Sequence, residues 1–272
     1  MNGRRLGWLS CALTLSALPR ALVAQTLQEQ ELEQSGFART PTNGDWNVTL
    51  GAGLASVPRY PGADRDRARL VPLGDILYRS RIFLGPAGLG VNLIDAGGWR
   101  LGPVLGFMPG RSESRDPLLA GLGDIQNSVS AGIFVRYRAG PFEVGGTVRQ
   151  AITHTENGLV GLVHADYGIT PARDRLQLFL GPDLEFANAR YNQTWFGVTP
   201  TQSLDSGLPE FTAGGGLRDV GVHANLTYRC TEHVLVRAFA NLKDLTGDIT
   251  SSPIVVRRMQ LVIGAGLAYH FR

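Results

Sequence analysis

Residues 259–271 read MQLVIGAGLAYHF. Met259, Leu261, Ile263, Ala265, Leu267, Tyr269 and Phe271 fall on one side of a two-residue repeat. Gln260, Val262, Gly264, Gly266, Ala268 and His270 fall on the other. Successive side chains of a strand point to opposite faces, so the segment sets a continuous apolar face against a mixed polar and small one. A helix would scatter both sets around its axis.

The same rhythm recurs upstream. Val48, Leu50, Ala52 and Leu54 alternate with Asn47, Thr49, Gly51 and Gly53. Val129, Ala131, Ile133, Val135 and Tyr137 alternate with Ser128, Ser130, Gly132, Phe134 and Arg136. Leu176, Leu178, Leu180, Leu184 and Phe186 share a face opposite Gln177, Gly181, Asp183 and Glu185. Val220, Val222, Ala224, Leu226 and Tyr228 alternate with Asp219, Gly221, His223, Asn225 and Thr227. Val234, Val236, Ala238, Ala240 and Leu242 alternate with His233, Arg237, Asn241 and Lys243. Eleven strands are expected, near 46–57, 69–79, 81–94, 99–108, 128–138, 141–152, 158–168, 174–187, 214–229, 233–243 and 259–271.

A soluble sandwich also alternates, with its apolar faces inward. A transmembrane barrel turns them to lipid and its polar faces to the lumen. Three features favour the barrel. The polar faces mix Gly, Ser and Thr with Arg, Asp and Glu, as a crowded hydrated interior requires. Tyr137, Tyr167, Tyr228, Tyr269 and Phe271 sit near strand ends on the apolar face, where an interfacial girdle belongs. The strands are about ten residues long, enough to cross a bilayer at a tilt. Since barrels of this kind usually have an even strand count, the sequence predicts an all-β, antiparallel transmembrane β-barrel of about 10–12 strands.

The N-terminus reads as an export signal. Arg4 and Arg5 precede an apolar run from Leu6 to Leu18, and Ala24 offers a cleavage point before Gln25. The expected organisation is a signal peptide over 1–24, a polar tether over 25–45 and an outer-membrane β-barrel over 46–272. Beyond the signal, no stretch reaches the roughly 20 apolar residues that a spanning helix needs. Of the 26 basic residues, cleavage removes Arg4, Arg5 and Arg20 and no acid, leaving 23 against 23 acidic ones. A neutral mature chain gives no reason to expect nucleic acid as a partner. Of the two cysteines only Cys230 would remain, which excludes an intramolecular disulfide.

Short connections fall at 95–98, 139–141, 170–173 and 231–232, and long ones at 58–68, 109–127, 187–213 and 244–257. Function on such a scaffold concentrates in long loops. A catalytic constellation is hard to find. His164 and Asp166 share a strand face and would suit a Ser-His-Asp site, but no Ser sits in a nucleophile elbow, and both fit equally as lumen-facing polar residues. The five His residues form no HxH or HExxH spacing, so no metal or cofactor site is expected. Arg136, Arg149 and Arg237 are expected to pair with Asp183, Glu185 and Glu143 inside the lumen.

The 187–213 connection contains Tyr191, Asn192, Trp195, Phe196, Gly197 and Val198, then Ser206, Gly207 and Leu208. This run resembles the Tyr-Asn-x-x-Tyr-Phe-Gly-Val segment, followed by Ser-Gly-Leu, of the MipA/OmpV family of outer-membrane proteins. Tyr60-Pro61-Gly62, Leu119 to Ile125 and Ser252-Pro253-Ile254 fit the same family, so the similarity covers nearly the whole mature chain. Two departures stand out: Trp195 replaces the usual Tyr, and Arg272 follows the aromatic Phe271 at the C-terminus.

The resemblance implies an outer-membrane location, lipid contact and no known catalysis. It implies a scaffold that ties a lytic transglycosylase to a bifunctional penicillin-binding protein during murein growth; other members resemble surface adhesins. Gly197 and Gly207 are expected to permit tight turns. Tyr191, Trp195 and Phe196 would either cap the barrel mouth or form an exposed contact patch. The expected function is a non-enzymatic scaffold between murein-synthesising and murein-cleaving enzymes. The alternatives are a passive small-solute channel, an adhesin, or a lipid hydrolase using His164.

Overall fold

The computed structural model describes residues 45–86, 88–170 and 175–271. The expected signal peptide and all of the tether but Asp45 lie outside them, as do 171–173 of one expected short turn. The described chain forms β1 (Trp46–Pro58), β2 (Asp66–Pro72), β3 (Asp75–Tyr78), β4 (Ile82–Gly85), β5 (Gly88–Val91), β6 (Ile94–Ala96) and β7 (Trp99–Met108). It continues with β8 (Ser128–Ala139), β9 (Phe142–Ala151), β10 (Leu159–Ile169), β11 (Leu176–Ala187), β12 (Gly216–Arg229), β13 (Val234–Leu245) and β14 (Met259–Phe271). Neighbours pair antiparallel around the sheet, and β14 returns to β1 from Val48↔Phe271 to Ser56↔Ile263. Closure leaves no terminal strand at that seam, where lipid could not satisfy exposed N–H and C=O groups.

The fourteen segments make twelve staves. β2 and β3 both pair with β1 and are one stave interrupted at Leu73-Gly74. β5 and β6 both pair with β7 and are likewise one. The expectation of eleven strands is corrected at 81–94, which holds a hairpin: Ile82 pairs with Val91 and Gly85 with Gly88. Gly88, at φ +108°, supplies the backbone conformation that this reversal requires. A tight hairpin hides in a search for alternation because the apolar rhythm resumes after it. Its trace is a phase change, since Ile82 and Leu84 face out before the turn and Leu89 after it.

The facing agrees with the period-two reading. In β14 the seven odd-numbered residues point outward and Gln260, Val262 and His270 are buried inside. Aromatics ring the short-turn end. Trp46 meets Tyr78 and Trp99 meets Tyr137 in tilted contacts, each at 4.6 Å between centroids, and Phe142 meets Tyr167 at 5.1 Å. Such a girdle marks a membrane–water boundary. The connections at the opposite end are the long ones, and they carry the structure described below.

An arginine on the outer face reports depth. Leu267→Arg, at a position 60 % exposed and well inside the belt, is expected to destabilise the barrel by about 2–4 kcal/mol, and Phe271→Arg at the girdle by about 0–1 kcal/mol. Urea titration in lipid vesicles measures both; equal losses would mean that the outer face does not meet a bilayer.

Candidate functional site

The 187–213 connection folds into two short helices that the sequence reading treated as loop. α1 (Ala189–Phe196) begins at Asn188, whose side chain accepts hydrogen bonds from Tyr191 N at 2.9 Å and Leu159 N at 3.1 Å. α2 (Pro200–Ser206) begins with a capping box between Thr199 and Gln202 and carries Pro in its first turn. Thr199-Pro200-x-Gln202 was therefore a legible helix start, hidden by the shortness of the element. Gly207 ends α2 in the left-handed region at φ +74°. Gly197 has an ordinary φ of −72°; it is small because a Cβ would collide with the Gln193 carbonyl and side chain.

α1 lies across the long-loop end. Tyr191, Trp195 and Phe196 are buried against Ala151, Val160, Ala187 and Leu245, inward-facing residues at the ends of four staves. The Tyr191 and Trp195 rings stack at 5.8 Å. Asn192 is buried and donates to Gly214 O at 2.7 Å. Val198 is buried and bridges to Phe211. Ser206 and Leu208 are half-buried and Gly207 is exposed.

The four segments that carry the family resemblance meet here. Tyr60, Leu119, Leu122, Val198 and Ile254 form one apolar cluster. Ser252 Oγ donates to Phe196 O at 2.5 Å, and Gln202 Nε2 to Leu122 O at 2.6 Å. Buried Arg111 donates to Trp195 O at 3.1 Å. Burial, above all, lowers that guanidinium to about 10 and raises the Tyr60 phenol to about 12.

Beneath α1 sits a group of buried charges. The ladder between β11 and β12 slips between Glu185 and Phe186. This bulge sends Arg218 and Asp219, adjacent in sequence, into the lumen together. Glu185 is bonded by both Arg218 and Lys243; Arg218 Nε donates to Asp219 Oδ2 at 2.7 Å, and Lys243 Nζ stands 3.9 Å from Asp219 Oδ1. Two positive and two negative groups, all buried, balance. Arg218 also donates to Tyr191 Oη at 3.0 Å, which ties α1 to the barrel wall. Burial, then the Asp219 carboxylate, pushes the Tyr191 phenol far above its ordinary range, so it stays neutral. Strict alternation turns Arg218 outward; the Arg-Asp pair inside an alternating run was the visible sign of the bulge.

The luminal pairs include partners that the sequence reading did not name, Asp75 and Arg138. Arg237 pairs with Asp75 at 2.7 Å, Glu143 with Arg138 at 2.5 Å, and Glu185 with Arg218 and Lys243. Arg237 is fully buried and also donates to Leu73 O at 3.2 Å, at the break between β2 and β3.

A second polar group lies deeper in the lumen. His223 Nε2 is 2.7 Å from Asp166 Oδ1, and His164 Nε2 is 3.6 Å from Asp166 Oδ2. Glu143, His164 and Asp166 offer atoms within 4.8 Å of one another, a spacing a metal could use. However, Glu143 is taken by Arg138 and Asp166 by His223, so the carboxylates already have counter-groups. The Nδ1 atoms of both imidazoles are buried without a hydrogen-bond partner. Among the described residues no hydroxyl is held against the Nδ1 of either ring, the place a Ser-His-Asp relay would use.

The model of the family described as MltA-interacting protein MipA matches residues 50–271. The chain belongs to the MipA family. With its closed barrel and apolar belt it is a protein of the bacterial outer membrane. No curated protein sequence matches it. Among solved structures it is similar to a KdgM porin, at 10 % identity and TM-score 0.40, over 83 % of this chain and 99 % of that one. It is also similar to an outer-membrane channel from Pseudomonas putida F1, at 11 % identity and TM-score 0.40, over 86 % and 98 %. A third is the outer-membrane phospholipase A from Escherichia coli, at 12 % identity and TM-score 0.33, over 87 % and 93 %. Likenesses this distant transfer no function.

Removing one member of the charge group exposes what holds it. Glu185→Gln leaves two buried cations facing one carboxylate and is expected to lower stability by about 3–5 kcal/mol in equilibrium urea unfolding. Glu185→Gln with Lys243→Met is expected to recover part of that loss, because the surplus charge goes with the lysine.

Proposed function

We propose that this protein is a non-enzymatic scaffold of the outer membrane, with its long-loop end plugged by α1, α2 and the loops packed on them. Tyr191, Asn192, Trp195, Phe196, Gly197 and Val198 form the body of the plug, and Ser206, Gly207 and Leu208 its outer edge. The observation that carries this reading is the burial of Tyr191, Trp195 and Phe196 against the inner wall, which removes them as a contact patch for a partner. A filled mouth favours a structural role over a passive channel. The Arg138–Glu143 pair and the empty Nδ1 positions of His164 and His223 favour a structural role over hydrolysis.

Partner binding then falls to the opposite end. Bacterial barrels place short turns in the periplasm and long loops outside. The turns at 139–141 and 231–232 and the tether at 25–45 would face the murein layer. Family membership supports a lytic transglycosylase and a bifunctional penicillin-binding protein as the partners. Residues 1–24 act as the export signal in this scheme, so the mature chain begins at Gln25.

Pull-down from detergent-solubilised envelopes is expected to recover a murein-cleaving and a murein-synthesising enzyme. Recovery of the barrel alone, under conditions that preserve other envelope complexes, would refute the scaffold. The plug has its own measurement. In planar bilayers the intact chain is expected to give little or no conductance, and replacing 188–215 by a short turn is expected to open stable current steps. Large steps from the intact protein would restore the channel reading.

A further inference from the structure

The polar group around Asp166 takes no part in the plug. Its place follows from register. Glu143 lies opposite Asp166 on the β9–β10 ladder and opposite Arg138 on the β8–β9 ladder. Glu143 follows Phe142 and Asp166 precedes Tyr167, so the group begins one residue inside the aromatic row of the short-turn end. Glu143, His164, Asp166 and His223 are all buried there.

Two glycines shape the space between them. Gly145 lies opposite His164, and a Cβ on it would stand 2.6 Å from His164 Nε2. The imidazole therefore lies over β9, the strand that carries Glu143. Gly181 lies opposite His223, and a Cβ on it would stand 3.1 Å from Asp166 Cα. With no side chain at 181, His223 reaches across β11 to within 2.7 Å of Asp166 Oδ1.

The counter-groups of the two carboxylates use one oxygen each. Both Arg138 contacts fall on Glu143 Oε2, and His223 meets Oδ1 of Asp166. Asp166 Oδ2 faces His164 Nε2 at 3.6 Å, too long for a hydrogen bond. The other nitrogen of that ring, Nδ1, is buried without a partner. A buried imidazole thus stands beside a carboxylate without bonding to it. The separation suits the edge of a coordination shell instead: bonds of about 2.0–2.2 Å at a tetrahedral angle put neighbouring ligands about 3.4 Å apart. Glu143 completes the set, with ligand atoms of all three residues within 4.8 Å of one another.

We propose that Glu143, His164 and Asp166 bind one divalent first-row transition ion of the zinc class. His164 supplies Nε2, Asp166 its Oδ2 and Glu143 its Oε1. An imidazole with two carboxylates suits that class better than calcium or magnesium, which take oxygen alone. His223 is a positioning residue that holds Asp166 through Oδ1. Arg138 is the competing cation. It stands next to the 139–141 turn with its side chain 47 % exposed, so an ion entering from the short-turn end meets it first. Arg136, opposite Gly145, adds a second positive charge, and the expected affinity is therefore micromolar. The site is separate from the plug and from the turns assigned to partner binding, so the scaffold reading stands or falls independently of it.

Titration of the full chain with zinc chloride tests the proposal, using protein purified in detergent without a histidine tag, freed of metal by a chelator, and a chromophoric zinc indicator. One zinc per chain is expected to bind with micromolar affinity, and millimolar magnesium is expected not to displace it. His164→Gln and Asp166→Asn are each expected to weaken binding about tenfold or more. His154→Gln, at an exposed ring of the long-loop end, leaves it unaltered. Arg138→Gln removes the competing charge and is expected to tighten binding several-fold. No binding in the micromolar range, unchanged affinity in His164→Gln, or displacement by magnesium overturns the site. Weaker binding by Arg138→Gln overturns the place of Glu143 in it. X-ray absorption at the zinc edge of the unaltered protein is independent of variant folding. One imidazole among oxygen neighbours at about 2.0–2.1 Å is expected. A sulfur neighbour, which Cys230 would supply, or a shell of oxygen alone overturns the assignment.

Discussion

Every backbone N–H and C=O that faces hydrocarbon must find a partner within the protein, because lipid offers none. That constraint explains why the seven outward apolar residues of β14 are tolerable only in a closed sheet. It explains the pairing of the last strand with the first over nine successive positions. It also makes the broken second stave informative. A seven-residue edge without a paired strand among the described residues would be unremarkable in a soluble sheet, yet it is unusual in a barrel.

The interior obeys a different rule. Charges placed there gain from balanced, bonded groups, since an unpaired buried charge is far more costly than an unpaired surface one. Glu185, Arg218, Asp219 and Lys243 satisfy that rule by mutual contact. The β12 bulge is what makes it possible, by turning two adjacent residues inward. Tyr191 then links this neutral group to α1, so the electrostatics of the lumen and the seating of the plug are one structure.

Above that link, apolar packing takes over. Tyr60, Leu119, Val198 and Ile254 come from four different connections and are scattered over nearly two hundred residues, yet they share one cluster. Segments without reactive groups can define a family when their task is to meet one another. In the Tyr191–Val198 run the rings of Tyr191, Trp195 and Phe196 are spent on contacts within the chain.

Alternation in residues 259–271 was enough to establish strands, their facing and the lipid belt, because the period of a strand is local and the bilayer imposes one polarity on every stave. The same local signal passed over the Gly85–Gly88 reversal, since a tight hairpin restores the rhythm it interrupts. It also gave no sign of where Arg218 points, because a bulge shifts the phase by one residue. The partners of Glu185 and Arg237, the seat of α1 and the gap beside β2 were beyond it altogether. Those depend on which residues distant in sequence are brought to the same height and side of the cylinder, and only closing the sheet sets that register.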